Sequence, residues 1–331
     1  MTNKVLKSIL WIFLVAVLAV YPKLFGIYYT NLFVTFAVFA TFSVSFNLLL
    51  GYTGLLSFGH AMFFGVGGYG TALALKHIQG LPLIPAVLIG LISGVVLALI
   101  LCPLVVRVSG TAFAMLHLAI GQLMHMLAYK LRGITGGEDG IGGFPIPPFS
   151  IPGVVSINMK APENFYYFAI AVLGISLWIM WFFTKTPFGQ IQVGVRDNAK
   201  RIDYLGFKVP QTKGLVYVVA GAFAGVAGSI YALFQNLISS GAIDIFTSFA
   251  PITMTMVGGI GSFFGPVIGA AIIQMIEELT TRFTERVELV VGLILILVIL
   301  FVPMGAVGLF KIWKQKWLAR SASRPNLERA S

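Results

Sequence analysis

Charge is scarce in this 331-residue chain: Asp, Glu, Lys and Arg together make up 10% of it, against about 25% in a soluble domain. That excludes an ordinary water-facing surface. Cysteine is nearly absent, and the lone Cys102 lies inside an apolar run, so no intrachain disulfide is possible and the compartment cannot be read from cysteine usage. No Gly-Lys-Ser or Gly-Lys-Thr occurs, which excludes a P-loop whose backbone amides would cradle nucleotide phosphates. If ATP drives this protein, another chain binds it. The clearly apolar segments hold no Asp, Glu, Lys or Arg, with Asp244 the nearest case. Proton-driven carriers commonly need such groups within the membrane, so a proton-coupled carrier is disfavoured, while sodium coupling through backbone carbonyls stays open.

What is present is apolar. Hydrophobic residues account for 58% of the chain and mean hydropathy is +0.95. Apolar stretches of about 15 to 25 residues recur, whereas outer-membrane strands would read as segments of about 10 alternating residues. The sequence predicts an all-α, polytopic transmembrane helical bundle. A formal charge of +11 would suggest nucleic acid in a soluble protein; here the basic residues are read as markers of the cytoplasmic side, and no nucleic-acid partner is expected beside membrane lipid.

The basic residues set the topology. Lys4 and Lys7 precede the apolar run 9–20; no small-x-small pair precedes Tyr21 and Pro22, so a retained first helix with its N-terminus inside is expected rather than a cleaved signal. Segment 27–50 returns inward, 51–76 goes outward, 82–106 returns to Arg107, and 111–129 goes outward. Loop 130–164, rich in Gly and Pro, is expected outside as either a solvated connector or a structured partner surface. Segment 165–183 returns inward with an aromatic edge. Loop 184–213 carries Lys185, Arg196, Lys200, Arg201, Lys208 and Lys213 against Asp197 and Asp203, which places it inside; Pro187 and Gly189 before it and Gly206 and Pro210 after it bracket a short helix over 190–205. Segment 214–234 goes outward with Gly221, Gly225 and Gly228 spaced for tight helix contact. Region 249–276 is interrupted by GGIGSFFGP at 258–266 and is too short for two comfortable spans, so a hairpin or two half-helices entered from outside is expected. Glu277, Glu278, Arg282, Glu285, Arg286 and Glu288 make a mixed-charge outer connector, 289–309 makes the last crossing, and the basic tail 311–331 lies inside. The count is about eight full spans plus a broken hairpin, or ten, with both termini cytoplasmic. Residues 1–310 form the membrane domain.

Residues 47–69, NLLLGYTGLLSFGHAMFFGVGGY, are the stretch the chain is organised around. They are apolar, yet crowded with glycine and with Asn47, Thr53, Ser57 and His60. Lipid offers backbone amides no partner, so broken backbone there must be covered by protein or line a watery path. Two readings stand: a translocation pathway, or close packing through small residues with the polar groups as interhelical hydrogen-bond partners. The segment echoes 258–271, since both carry glycines around a Ser-Phe pair, and paired broken segments in two halves point to a transport path at a repeat interface. Segment 111–129 adds His117, Gln122 and His125. The two histidines are eight positions apart, within about 80° on an ideal helix, but no carboxylate or cysteine accompanies them, so ordinary hydrogen bonding is favoured over a metal site.

Five segments together, 47–69, FAMLHLAIGQL at 113–123, ITGGEDGIGG at 134–143, TPFGQIQVGVRDNAKRIDYLGF at 186–207 and GGIGSFFGPVIGA at 258–270, resemble the inner-membrane permease of bacterial branched-chain amino acid ABC importers, the longer of its two types. They span most of the chain in family order. The resemblance implies a multi-pass subunit of the bacterial inner membrane, partnered by a second homologous permease, two cytoplasmic ATPases that bind ATP and magnesium, and a periplasmic substrate-binding protein. No enzyme activity, cofactor or metal is expected in this chain. The implied pathway residues are Asn47, Thr53, Ser57, His60, His117 and Gln122; the implied ATPase-coupling residues are Gly189, Arg196, Asp197, Asn198 and Arg201; and Thr135, Gly136, Gly137, Glu138 and Asp139 would meet the binding protein. The chain departs from the family at Gln190 and Val193, where arginine is usual, and at His117, where amino acid permeases more often carry threonine. Urea or aromatic and organic acids are the alternative substrates; an ATP-independent channel or carrier and a non-transporting scaffold are the other classes.

Overall fold

The protein, seen in a computed structural model that describes residues 2–151, 155–284, 286–301 and 305–309, is a bundle of helices. The first helix, α1 (Thr2–Thr53), bends once, at Gly26. There φ is 73° and ψ is 176°, a conformation open essentially to glycine alone. The break falls between the two apolar runs that hydropathy separates. Six stretches among the described residues are long and apolar enough to cross a membrane: Val20–Thr53, Leu83–Val105, Thr111–Lys130, Pro162–Lys185, Val209–Gln235 and Leu289–Leu309. The protein is therefore a multi-pass membrane protein. The basic tail 311–331 and Glu285 lie outside the described residues.

The core is built around α8 (Val209–Gln235), which packs on α2 (Ala61–His77), α3 (Leu83–Val105) and the second part of α1. The predicted glycine spacing is what lets it do so. Gly225 lies against Gly67, Gly90 and Gly94; Gly228 lies against the backbone of Phe64; and Gly221 lies against Ala98 and Phe63. Cys102 and Gly214 meet at one end of the α3–α8 pair, and Ser229 meets Gly90 nearer the other, so these two helices run antiparallel. Without a side chain, the backbones approach closely enough for dispersion to hold helices that gain nothing from leaving lipid.

Helices α4 (Thr111–Lys130) and α6 (Pro162–Lys185) flank this core with much of their apolar surface exposed, as does α11 (Val287–Phe301). The stretch joining α4 to α6 holds a single helical turn, α5 (Arg132–Thr135), and strands β1 (Ile141–Gly142), β2 (Phe149–Ile151) and β3 (Val155–Ile157), of which β2 and β3 form a hairpin. After α8, strand β4 (Leu237–Ile238) pairs antiparallel with β1, so the long loop is a structured surface and not a loose connector.

The interrupted region 249–276 forms two half-helices, α9 (Ile245–Gly258) and α10 (Gly265–Thr281). At 1.5 Å per residue the 14-residue α9 is about 21 Å long, short of an apolar layer of about 30 Å. The pair packs on α1 around Ala40, Met254, Val257, Ala270 and Ile273. One end of the bundle gathers Tyr28 and Glu278, whose side chains hydrogen-bond, and Gln274 with Leu32. The opposite end gathers the two backbone breaks and α7 (Pro187–Tyr204).

Candidate functional site

The first break begins where α1 ends at Thr53 and runs to His60 before α2 resumes. Gly54 takes φ 72°, and Thr53 turns its hydroxyl back to the Leu49 carbonyl at 2.6 Å. The freed backbone finds partners inside the protein. The amide of Ala61, one of the N-terminal donors a helix leaves unpaired, donates to Ser248 Oγ of α9 at 3.1 Å. The polar side chains pair likewise: His60 Nε2 with Ser45 Oγ at 3.0 Å, and His117 Nδ1 with Ser57 Oγ at 2.7 Å.

Aromatic rings enclose both histidines. His60 stacks on Phe42 and meets Phe46 and Phe63 edge-on; His117 stacks on Phe113 with ring centroids 4.3 Å apart and meets Tyr217 edge-on. Asn47, Ser57, His60 and His117 are fully buried. Yet His60 Nδ1, His117 Nε2 and the Tyr217 hydroxyl have no hydrogen-bond partner among the described residues, an expensive condition in a dry core that calls for an explanation. Gly59 and Gly121 make the close approach of α4 possible, for a side chain on Gly59 would strike the backbone at His117.

Asn47 joins the two breaks. Its Nδ2 donates to the Ser262 carbonyl at 3.0 Å and its Oδ1 accepts from the Gly261 amide at 3.5 Å. The glycine-rich echo in the sequence is thus a physical contact: the last turns of α1 at Asn47 and Gly51 meet Gly261 and Ser262, and Gly51 has no room for a Cβ beside Asn47 and Gly261. Thr255 Oγ1 adds a bond to the Ser43 carbonyl at 3.3 Å.

Helix α7 closes this end. Thr186 caps it by accepting from the Gly189 amide at 3.3 Å, Pro187 occupies the first turn, and Gly206 follows its end at φ 86°, as the start and stop signals predict. The helix breaks at Asn198 (φ −158°, ψ 93°), whose Oδ1 accepts from the Arg201 amide at 3.0 Å and so caps the final turn. Gly189 sits tight against Thr184. Gly189, Gln192 and Val195 face the bundle; Asp197, Asn198 and Arg201 face away.

Arg196 does something else. Its Nη1 donates to the Gly51 carbonyl at 2.5 Å, its stem lies over Gly54, and a Cβ on Gly261 would come within 3.3 Å of Nη1. Asp197 holds the same guanidinium at 3.0 Å; being exposed, that pair orients the fork more than it adds stability. One side chain of α7 therefore bonds the end of α1 at the first break and lies beside the second.

Other candidates lie elsewhere. Gln122 is half-buried and shares no hydrogen bond with the cluster. His125 bonds the Ser240 carbonyl at 3.0 Å, about 12 Å along α4 from His117, so the two histidines serve separate contacts. Among the described residues no group of His, Cys, Asp and Glu could hold a metal. At the far end of the bundle Thr135 Oγ1 accepts from the Gly137 amide and bonds the Ala128 carbonyl at 2.5 Å; Gly136 and Gly137 take positive φ; and Glu138 and Asp139 project outward. Sequence reasoning missed Ser45, Tyr217, Gly261 and Ser262 as members of the site. The Ser-Phe pair of the echo was a signal for Ser262; nothing local marks Tyr217, which the packing of α8 brings to His117.

The family whose model is described as the branched-chain amino acid transport system / permease component matches residues 28–302. Among curated proteins, the chain is similar to the high-affinity branched-chain amino acid transport system permease protein LivM of Salmonella typhimurium. It is 26% identical to that protein over 287 residues, which cover 81% of this chain and 67% of the relative. Its similarity to LivM of Escherichia coli is 24% over 286 residues, with the same coverage. With the probable branched-chain amino acid transport permease protein LivH of Methanocaldococcus jannaschii it shares 28% over 311 residues, 88% of this chain and 92% of the relative. No solved structure matches.

Proposed function

Because the chain belongs to the branched-chain amino acid transport permease family, we propose that it is the membrane subunit of an ATP-driven importer for branched-chain or other hydrophobic amino acids. The observation that carries the reading is the joint at which Arg196 of α7 bonds the end of α1 at the first backbone break and lies beside the second. A subunit that takes work from elsewhere needs a surface that receives it and a connection inward to the transport path.

In this reading the chain crosses the bacterial inner membrane eight times, with α1 counted as two crossings divided at Gly26 and α2 as one, while α9 and α10 enter and leave from the periplasmic side. Both termini and the tail 311–331 are cytoplasmic, 130–164 is periplasmic and 184–213 is cytoplasmic. It pairs with a second homologous permease, as the coexistence of LivM-like and LivH-like relatives suggests. Two ATPase subunits carry ATP and magnesium and dock on the outward face of α7, where Gly189 sets the turn and Asp197, Asn198 and Arg201 meet them. A periplasmic binding protein delivers substrate to Thr135, Gly136, Gly137, Glu138 and Asp139. Closure of the ATPases shifts the bundle between two states through their differential affinity for those states, and Asn47, Thr53, Ser57, His60 and His117 line the moving joint. Gln122 would join them only in the other state.

The test is ATP hydrolysis by the complex co-purified from its own operon and reconstituted in lipid with its binding protein. Leucine, valine, phenylalanine, urea and benzoate are added in turn. Stimulation by the aliphatic amino acids is expected. Stimulation by urea or benzoate alone would move the substrate class, and solute flux through this chain with no ATPase attached would overturn the importer reading.

A further inference from the structure

A cavity of about 460 Å³ opens at the end of the bundle opposite α7, within the range of about 300 to 1,000 Å³ that small ligands occupy. Its floor is aromatic: Phe39 of α1, Phe64 of α2 and Tyr231 of α8, with Phe64 and Tyr231 centroids 5.3 Å apart and Phe39 within 6.3 Å of both. Its rim is polar, with Gln235, Ser239 and Thr247. Thr247 Oγ1 is engaged with the Gly241 carbonyl at 2.8 Å, while the side-chain amide group of Gln235 and the Ser239 hydroxyl make no hydrogen bond among the described residues.

Two connections set this cavity apart from a packing defect. Beneath it, rings lead to the first break: Phe64 meets Phe42 at 4.7 Å, and Phe42 stacks on His60 at 5.4 Å. Above it, the β1–β4 pair fixes Ile141 to Ile238 and Gly142 to Leu237, and Gly140 abuts the carbonyl of Ile238. The loop carrying Glu138 and Asp139 is thereby fastened to the strand that continues into Ser239 on the rim. A neighbouring cavity of about 530 Å³ shares Gln235, yet no residue of α2 or α9 lines it.

Resting on the importer reading, we propose that the cavity floored by Phe39, Phe64 and Tyr231 and rimmed by Gln235 and Ser239 is the outer receiving site for the transported amino acid. Its apolar side chain lies on the rings, and its charged amino and carboxyl groups stay at the wet rim, where neither pays full desolvation. The rings beneath close the route to the His60 joint until the helices move. A pocket of this kind discriminates by size: one methylene is worth about tenfold or more.

The test compares uptake of valine, leucine and phenylalanine by the reconstituted complex with its binding protein, wild type against Gly241→Leu and Phe39→Ala. Gly241 lines the cavity, and a Cβ there makes only an ordinary contact with Ser239 Oγ at 3.5 Å, so leucine fills space without straining the backbone. Gly241→Leu should cut phenylalanine and leucine uptake about tenfold or more and valine less; Phe39→Ala should raise phenylalanine relative to leucine. Gel filtration of the whole complex checks assembly, and if Gly241→Leu fails to assemble, Phe39→Ala decides alone. Uptake ratios unchanged from wild type, or an equal fall for all three, would overturn the site. A wild-type complex that moves none of these amino acids would instead sink the amino acid reading on which the site rests.

Discussion

Replacing Arg196 isolates the link between α7 and the two breaks. Its guanidinium bonds the Gly51 carbonyl at 2.5 Å and Asp197 at 3.0 Å. A charged donor to a carbonyl contributes about 1.5–3 kcal/mol, and with the side chain 35% exposed the working value is about 1–2 kcal/mol once solvent screening is allowed for. If that bond transmits the movement of α7, its loss weakens coupling by about five- to thirtyfold. Lysine keeps the charge but not the planar fork that reaches Gly51 and Asp197 together, so Arg196→Lys and Arg196→Met should behave alike. The assay is substrate-stimulated ATP hydrolysis in the reconstituted complex, with co-purification of the ATPases as control. Basal hydrolysis and assembly should persist while stimulation falls by that factor. Full stimulation in Arg196→Met would refute the link. Loss of ATPase co-purification would place Arg196 in the docking face and not in the bundle.

The Ser57–His117 pair separates pathway from packing. Ser57→Ala alone leaves a buried His117 nitrogen unpaired and should lower thermal stability by about 1–3 kcal/mol, whereas the double variant Ser57→Ala, His117→Phe, with the Phe113 stack kept, should recover most of that loss. A stable double variant with normal uptake makes these residues packing; one that is stable but inactive makes them part of the path. Glycines should divide by their surroundings. Gly228→Leu drives a side chain into the backbone of Phe64 and should abolish monodisperse protein in detergent. Gly174→Ala, with nothing within 4 Å, should leave the melting temperature equal or slightly raised, since alanine favours a helix by about 1 kcal/mol over glycine.

Much of the architecture is legible from local chemistry. Glycine clusters at 51–60 and 258–266 announce broken backbone because no other residue supplies that freedom, and Pro187 and Gly206 bound α7 because start and stop signals act within a turn. The spacing of Gly221, Gly225 and Gly228 foretells close packing. Composition leaves the loop 130–164 open between a solvated connector and a structured surface, and what decides is that β1 finds β4 nearly a hundred positions on, a pairing that no local signal contains. Gln122 is expected in the path from the resemblance; in the structure it is half-buried and shares no hydrogen bond with the cluster.

A helical membrane protein, the places where its helices break and the helix in its basic loop all follow from hydropathy, charge or backbone freedom over a few residues. It took the packed bundle to bring the breaks together through Asn47, to turn Arg196 inward to Gly51 while Asp197 and Asn198 point out, and to bring Tyr217 to His117. Those contacts join residues from 100 to over 200 positions apart, and their geometry is fixed by how closely glycine lets helices approach.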